Sequence, residues 1–340
     1  MGKKNKKSEN KMIVAQLEQL KKQLFVASFF SGVGGFDRGA RRAGFQSLLQ
    51  SDYWDIAGKA FELNIDNNGE GKYCHLRSEG IYLAGDILGN IKNMSFDHMQ
   101  SLIREHLKIN IGIGDLDVMI GGPPCQDQSK CNNFKDIMGE KNHLIFPYLD
   151  MIEASQPKVA LIEQVPDMLG PIFEVLWQKV RLRLNRMRNY SWNYQVMNAK
   201  DYGARQDRKR LIIMLVRRNL NVPVSFPKPV SPDLSKVAVQ SLLPDVYHFS
   251  PGQYADGIKS ARENVFCTMT ATGSEYFYAF DGERRKPLMK ERLVLSELEG
   301  LHLSGICETD QKTLVGNMVQ VSFSEALFQH IKTHILKVDD

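Results

Sequence analysis

Short apolar runs recur along this chain, each closed by glycine, proline or a polar residue and most followed by a segment with helical spacing. The runs are Phe25–Phe30, Ser47–Ser51, Ile81–Ala84, Leu116–Ile120, Val159–Ile162, Tyr194–Asn198 and Leu211–Val216. The spacing predicts helices over 36–44, 54–63, 95–108, 143–154 and 171–188. Brief, continuously apolar runs mark strands buried on both faces. Strands that alternate with helices predict an α/β fold on a parallel, doubly wound sheet. Ligands of such sheets gather at the C-terminal ends of the strands. The residues just after each run are therefore where chemistry is to be sought.

The rhythm breaks at both ends. Residues 1–24 carry seven lysines and two glutamates, which account for the whole formal charge of +5. They read as a basic arm followed by a short amphipathic helix on Ile13, Leu17, Leu20 and Leu24. Residues 219–286 hold six prolines and few helical patterns and read as a small irregular lobe; 287–300 and 319–336 return to helical spacing. A hydrophobic fraction of 43% and a charged fraction of 24% exclude a disordered chain. No run reaches membrane length and no apolar leader is present, so a soluble cytoplasmic protein is expected. The five cysteines are dispersed, without C-x-x-C or zinc spacing, which predicts neither a disulfide framework nor a metal site. Twelve Lys and Arg against two Asp in 179–218 form the basic stretch of the body. It could follow a phosphate backbone, or be a solvated helix face and one basic loop.

Four loops stand out. Phe30-Ser-Gly-Val-Gly-Gly35 follows the first strand and lets backbone approach a ligand. It is not the dinucleotide fingerprint, because Asp37 stands where the third glycine would be. Asp52, after the second strand, can hydrogen-bond ribose hydroxyls, and Asp86 adds a polar group after the third. Gly121-Gly-Pro-Pro-Cys125-Gln126 delivers a cysteine into a proline-stiffened loop, the rigid placement a nucleophile needs. Glu163 follows the strand Val159–Ile162, and Gln206-Asp-Arg-Lys-Arg210 puts two arginines on one face of an extended segment.

The order Phe-x-Gly-x-Gly-Gly, Pro-Cys-Gln, Glu-x-Val, Gln-x-Arg-x-Arg and a late Gly-Asn resembles the DNA cytosine-C5 methyltransferases over residues 25–336. The resemblance implies a Rossmann-like methyltransferase sheet over 25–218, a small target-recognition lobe at 219–286 and a segment returning from 287. It implies S-adenosylmethionine as cofactor, S-adenosylhomocysteine as product, and double-stranded DNA as partner. Carried over, Phe30, Gly32, Gly34 and Gly35 would form the cofactor loop. Asp52 would bind ribose, Tyr53 stack on adenine and Asp86 meet its amino group, with Pro123 and Asn317 completing the pocket. Cys125 would be the nucleophile and Glu163 the group on cytosine N3, while Arg208 and Arg210 would clamp base and phosphate. Gln126, Ser129, Gln206, Arg262, Thr268 and Thr270 would face DNA. Arg292 and Glu297 resemble the motif before the last helix. The family is usually monomeric, and a cognate restriction endonuclease would be a natural partner.

The residue types suit that chemistry. Cytosine C5 attacks a methyl sulfonium only after a thiolate adds at C6, and a carboxyl at N3 stabilises the adduct. A base inside a duplex must be flipped out to be reached. This chain departs from the pattern at Gln164, where the family has Asn, and at Gln128-Ser129, where it has Phe-Ser. Two other readings share the motifs. A transfer-RNA methyltransferase would carry Cys-Phe-Thr, whereas this chain has Phe266-Cys267-Thr268. A catalytically silent DNA-binding homologue would lack the nucleophile.

Overall fold

The computed structural model describes residues 23–64, 80–124, 143–252 and 257–338. The basic arm and all but the end of the amphipathic stretch lie outside these residues, as do Cys125, Gln126 and Ser129.

The expected runs form one sheet from β1 (Leu24–Phe29), β2 (Phe45–Asp52), β3 (Ile81–Ala84), β4 (Val118–Gly121), β5 (Val159–Gln164), β6 (Tyr190–Asn198) and β8 (Lys209–Arg217), with a two-residue β7 (Gln206–Asp207) just before the last. The order is β3-β2-β1-β4-β5-β8-β6. The strand order reverses beside β1, which pairs in parallel with both β2 and β4, the switch point where doubly wound sheets bind ligands. The expectation of an all-parallel sheet is corrected at one strand. β8 runs antiparallel to both β5 and β6. Only a short 3-10 turn, Ala199–Tyr202, and β7 join β6 to β8, too little chain for the crossover that parallel neighbours require.

Alternation along the strands feeds two cores. Ala27, Phe29, Ala160, Ile162, Leu211, Ile213 and Leu215 face one layer, which helices Phe96–Leu107, Ile145–Ser155 and Glu174–Arg186 cover. Val26, Val159, Leu161, Ile212, Met214 and Val216 face the other, covered by Gly35–Arg42 and Val321–His330. Burial on both faces is what made these strands uniformly apolar. The last helix expected over 319–336 runs on as a π-helical turn, Ile331–Ile335, and a further helix not expected from spacing forms at Glu308–Asn317.

The lobe read as irregular holds a small antiparallel sheet, β10-β9-β12-β13, of strands two or three residues long: β9 (His248–Ser250), β10 (Lys259–Ser260), β12 (Tyr276–Tyr278) and β13 (Arg284–Arg285). A further strand, β11 (Phe266–Cys267), pairs in parallel with β7 and ties the lobe to the main sheet. Phe249, Phe266 and Phe277 share a core with Leu295, Leu298 and Val315, and with Ala57 and Ala60 of helix Asp55–Glu62. Arg292 and Glu275 form an ion pair in this core, their side chains 1% and 0% exposed. Arg292→Met alone strands a buried carboxylate and is expected to lower unfolding free energy by about 3–5 kcal/mol. Arg292→Met with Glu275→Gln, which removes the charge and keeps an acceptor for Thr270, should recover most of that loss; denaturant titration of both variants checks it.

Candidate active site

The chain leaves β1 through a loop held in left-handed backbone geometry, with φ of 58° at Phe30, 53° at Gly32 and 75° at Gly34. Glycine meets that demand without strain, whereas Phe30 does not, and such outliers concentrate at functional sites. The Gly32 N–H donates to Asp52 Oδ2 at 2.8 Å, and the Trp54 N–H donates to Asp52 Oδ1 at 2.8 Å. Nothing lies within 4 Å of where a Gly32 side chain would start, so that side of the loop is open. Gly35 serves a different end. A methyl group there would fall 2.1 Å from the Val319 carbonyl oxygen, so this glycine admits the C-terminal segment.

Beneath the loop, Asp37 accepts from Ser28 Oγ at 3.0 Å and from Ser47 Oγ at 3.3 Å. Burial pushes its carboxyl up to about 6, against the pull of those hydroxyls. Burial likewise raises Asp52, with the Trp54 and Gly32 amides opposing.

The strand pairing sets Asp52 opposite Ala84, so the segments leaving β2 and β3 are neighbours. Tyr53 follows on one side and Asp86, Ile87 and Leu88 on the other. Tyr53, Ile87 and Leu88 are 55%, 79% and 50% exposed, large apolar side chains beside a carboxylate. Asp86 is also exposed, with Oδ1 accepting from Asn90 Nδ2 at 2.9 Å. Ile87 and Leu88 escaped sequence reasoning. Their signal is a pair of apolar residues directly after a strand-end acid, where a core role is unavailable. A carboxylate, an exposed aromatic ring, apolar surface and an open glycine loop are together the chemistry a nucleoside would need. Asn317 is exposed just before Met318, which abuts Gly35.

At the end of β5 the buried Glu163 meets Arg210, Nε to Oε1 at 2.5 Å. A methyl group on Gly122 would lie 3.3 Å from Glu163 Oε2, so the carboxylate borders the loop that leads to Cys125. The neighbouring Gln164 is 2% exposed and donates from Nε2 to the Pro123 carbonyl at 2.9 Å. Proline has no N–H, so its carbonyl fixes which end of the amide faces it. The longer arm at 164 thus cross-ties β5 to the Pro-Pro-Cys loop, and Pro123, expected at the cofactor, is engaged by Gln164.

The other expected contact residues bond within the protein. Arg208, expected to clamp base and phosphate with Arg210, is 2% exposed and donates to the Met269 carbonyl at 3.0 Å and the Gly316 carbonyl at 2.8 Å. The strand is interrupted between β7 and β8 at this residue, so the two arginines do not share a face. Gln206 is fully buried, its amide donating to the Leu295 carbonyl at 3.0 Å and accepting from the Met269 N–H at 3.1 Å, which removes it from any DNA surface. Thr268 Oγ1 donates to the Asp207 carbonyl at 2.7 Å and Thr270 Oγ1 to Glu275 at 2.8 Å. Both hydroxyls therefore commit their protons inside the protein and keep acceptor positions. Arg262 is exposed on the lobe. Among the described residues no cluster of His, Cys, Asp or Glu could hold a metal, and no helix is long and apolar enough to cross a membrane.

The sheet order, with its switch point beside β1, is that of a Rossmann-like methyltransferase fold. The sequence profile of the C-5 cytosine-specific DNA methylases matches residues 24–272. Type II methyltransferase M.MthTI of Methanothermobacter thermautotrophicus is 28% identical, over 90% of this chain and 96% of its own length. Type II methyltransferase M.NgoPII of Neisseria gonorrhoeae is 28% identical over 74% of this chain and 63% of its own. The solved structure of the S. pombe Dnmt2 methyltransferase superposes with a TM-score of 0.62 at 15% identity, covering 91% of this chain and 98% of that one, a likeness of fold. This chain belongs to the C-5 cytosine-specific DNA methylase family, an enzyme family that takes a methyl donor and a DNA substrate. That membership favours the DNA reading over the RNA and silent ones.

Two outcomes follow from the geometry. Gln164→Ala, which frees the Pro123 carbonyl, is expected to lower single-turnover methyl transfer roughly ten- to hundredfold through misplacement of the loop. S-adenosylhomocysteine affinity, read by calorimetry, should stay unchanged. Asp37 binds its proton more tightly folded than unfolded, so its stabilising contribution is complete below pH 4 and lost as pH rises through about 6. Asp37→Asn should therefore flatten stability between pH 4 and 6. At pH 8 it should raise stability by on the order of 2–3 kcal/mol, measured by denaturant unfolding across pH.

Proposed function

We propose that this chain methylates C5 of a cytosine flipped out of double-stranded DNA, with Cys125 as nucleophile, Glu163 as the partner of N3, and S-adenosylmethionine held by the loop 30–35, Asp52, Tyr53, Asp86 and Ile87. The observation that carries the reading is Glu163 itself, a buried carboxylate fixed by Arg210 on one oxygen and bordering the Pro-Pro-Cys loop with the other.

The Cys125 thiolate adds to C6, and the ring becomes an enamine with electron density at C5. Glu163 holds the proton at N3 that stabilises this adduct, while Arg210 fixes the carboxylate plane. When bound, S-adenosylmethionine supplies an electrophilic methyl group. Loss of the C5 proton and departure of Cys125 then restore the aromatic ring. The low-dielectric pocket around Glu163 strengthens each of these contacts once the base has displaced water. The segment 219–286 serves as the recognition lobe, with the exposed Arg262 a candidate contact. The Type II designation of the relatives supports a role in DNA modification beside a restriction endonuclease.

Unmethylated duplex DNA treated with the protein and S-adenosylmethionine, then read by conversion sequencing, is expected to show protected cytosines in one sequence context. Cys125→Ser should abolish protection while retaining DNA binding. Protection that persists in that variant would overturn the nucleophile, and none with the wild-type protein would overturn the reaction.

A further inference from the structure

Gly32 is restrained through both of its peptide groups. Its N–H donates to Asp52 Oδ2, and its carbonyl accepts from the Tyr82 hydroxyl at 2.9 Å. Tyr82 lies in β3, two strands from the loop it reaches, and its ring packs on Phe61 with centroids 4.0 Å apart and planes 32° from parallel. The rest of the loop is tied to β2 and to itself. Ser31 N–H donates to the Ser51 carbonyl at 3.0 Å, and Gly34 N–H to the Ser31 carbonyl at 2.8 Å. Packing does not hold Gly32 in place. A cavity of about 40 Å³ lined by Gly32, Gly34, Asp37, Phe61 and Asn64 adjoins it, and its other side is open. Burial, reinforced by the Asp52 and Asp37 charges, keeps the Tyr82 phenol well above its ordinary value, so it stays a donor across the working range.

We propose that Tyr82 is a positioning residue for the cofactor. By holding the Gly32 carbonyl it sets the peptide geometry from which the Gly32 N–H orients the Asp52 carboxylate toward the ribose hydroxyls. This rests on the S-adenosylmethionine site proposed above and adds a residue from β3 that touches neither ribose nor adenine. Glycine at 32 has no side chain to limit its rotation, so a hydroxyl on its carbonyl replaces the restraint that packing would supply. The pocket is thereby ordered before ligand arrives, and binding does not have to order it.

Calorimetric titration with S-adenosylhomocysteine tests this on the full chain. Tyr82→Phe keeps the ring and its contact with Phe61 and removes only the hydroxyl. It is expected to weaken binding roughly three- to tenfold, the worth of one such hydrogen bond, and to raise KM for S-adenosylmethionine alike while kcat at saturation holds within about twofold. Phe61→Leu is the second variant; it loosens the ring packing and keeps the hydroxyl, and affinity is expected to be retained. Equal affinity in Tyr82→Phe and wild type would overturn the proposal, as would an equal loss in Phe61→Leu, which would assign the effect to packing. A fall in kcat without a change in affinity would overturn it too. A wild-type protein that binds no S-adenosylhomocysteine would remove the cofactor site itself, a failure distinct from an unaffected Tyr82→Phe.

Discussion

The buried guanidinium of Arg208 joins three parts of this molecule. Arg208 leaves the main sheet between β7 and β8 and donates to the carbonyls of Met269, in the lobe, and Gly316, near the end of helix Glu308–Asn317. A charge in such a place needs compensation. The negative end of the helix backbone at Gly316 supplies part of it. Gln206, two residues earlier, adds bonds to Leu295 and Met269. Catalytic sheet, lobe and C-terminal helices are thus joined by side chains that reach for main-chain atoms. Such contacts specify position more tightly than apolar packing does, because both distance and direction are constrained.

That frame explains how the two halves of the site differ. The glycine-loop side is assembled from strand ends within residues 30–88, and its polar atoms are tied to one another. The carboxylate side depends on β5 and β8, an antiparallel pair whose register brings Arg210 to Glu163. Here Gln164 couples the strand to the loop ahead of Cys125 through a carbonyl, the only hydrogen-bonding group the Pro123 backbone has.

Strands β1, β4, β5 and β8 were legible because burial on both faces writes them as apolar runs, and Asp52, Asp86 and Glu163 stood out because acids just past such runs have no core role. Strand direction was not, since the reversal of β8 is encoded in the brevity of the link from β6 and leaves no mark in the strand itself. The lobe strands were missed because two or three residues are too few for alternation to show. Arg208 was misplaced because alternation was carried through Gln206–Arg210 as if one strand ran there, and the ladder breaks at that residue. Tyr82 looked like one more member of an apolar run; only the fold shows that its hydroxyl crosses to another loop.

The helix Gly35–Arg42, which opens directly from the glycine loop, is backed by the far end of the chain. Ser324 Oγ donates to the Phe36 carbonyl across 288 residues of sequence, and a methyl group at Gly39 would collide with the Ser324 side chain at 2.4 Å. The earliest part of the pocket to leave the ribosome is therefore among the last to be finished. Until the residues around 318–331 emerge, that helix shows water the apolar face that Phe323, Leu327 and Phe328 will later cover. Contacts of such long span slow folding and leave unfinished surface exposed in the interval. In biosynthetic terms, a nascent chain has no completed backing for the glycine loop, and that support arrives only with the closing helix.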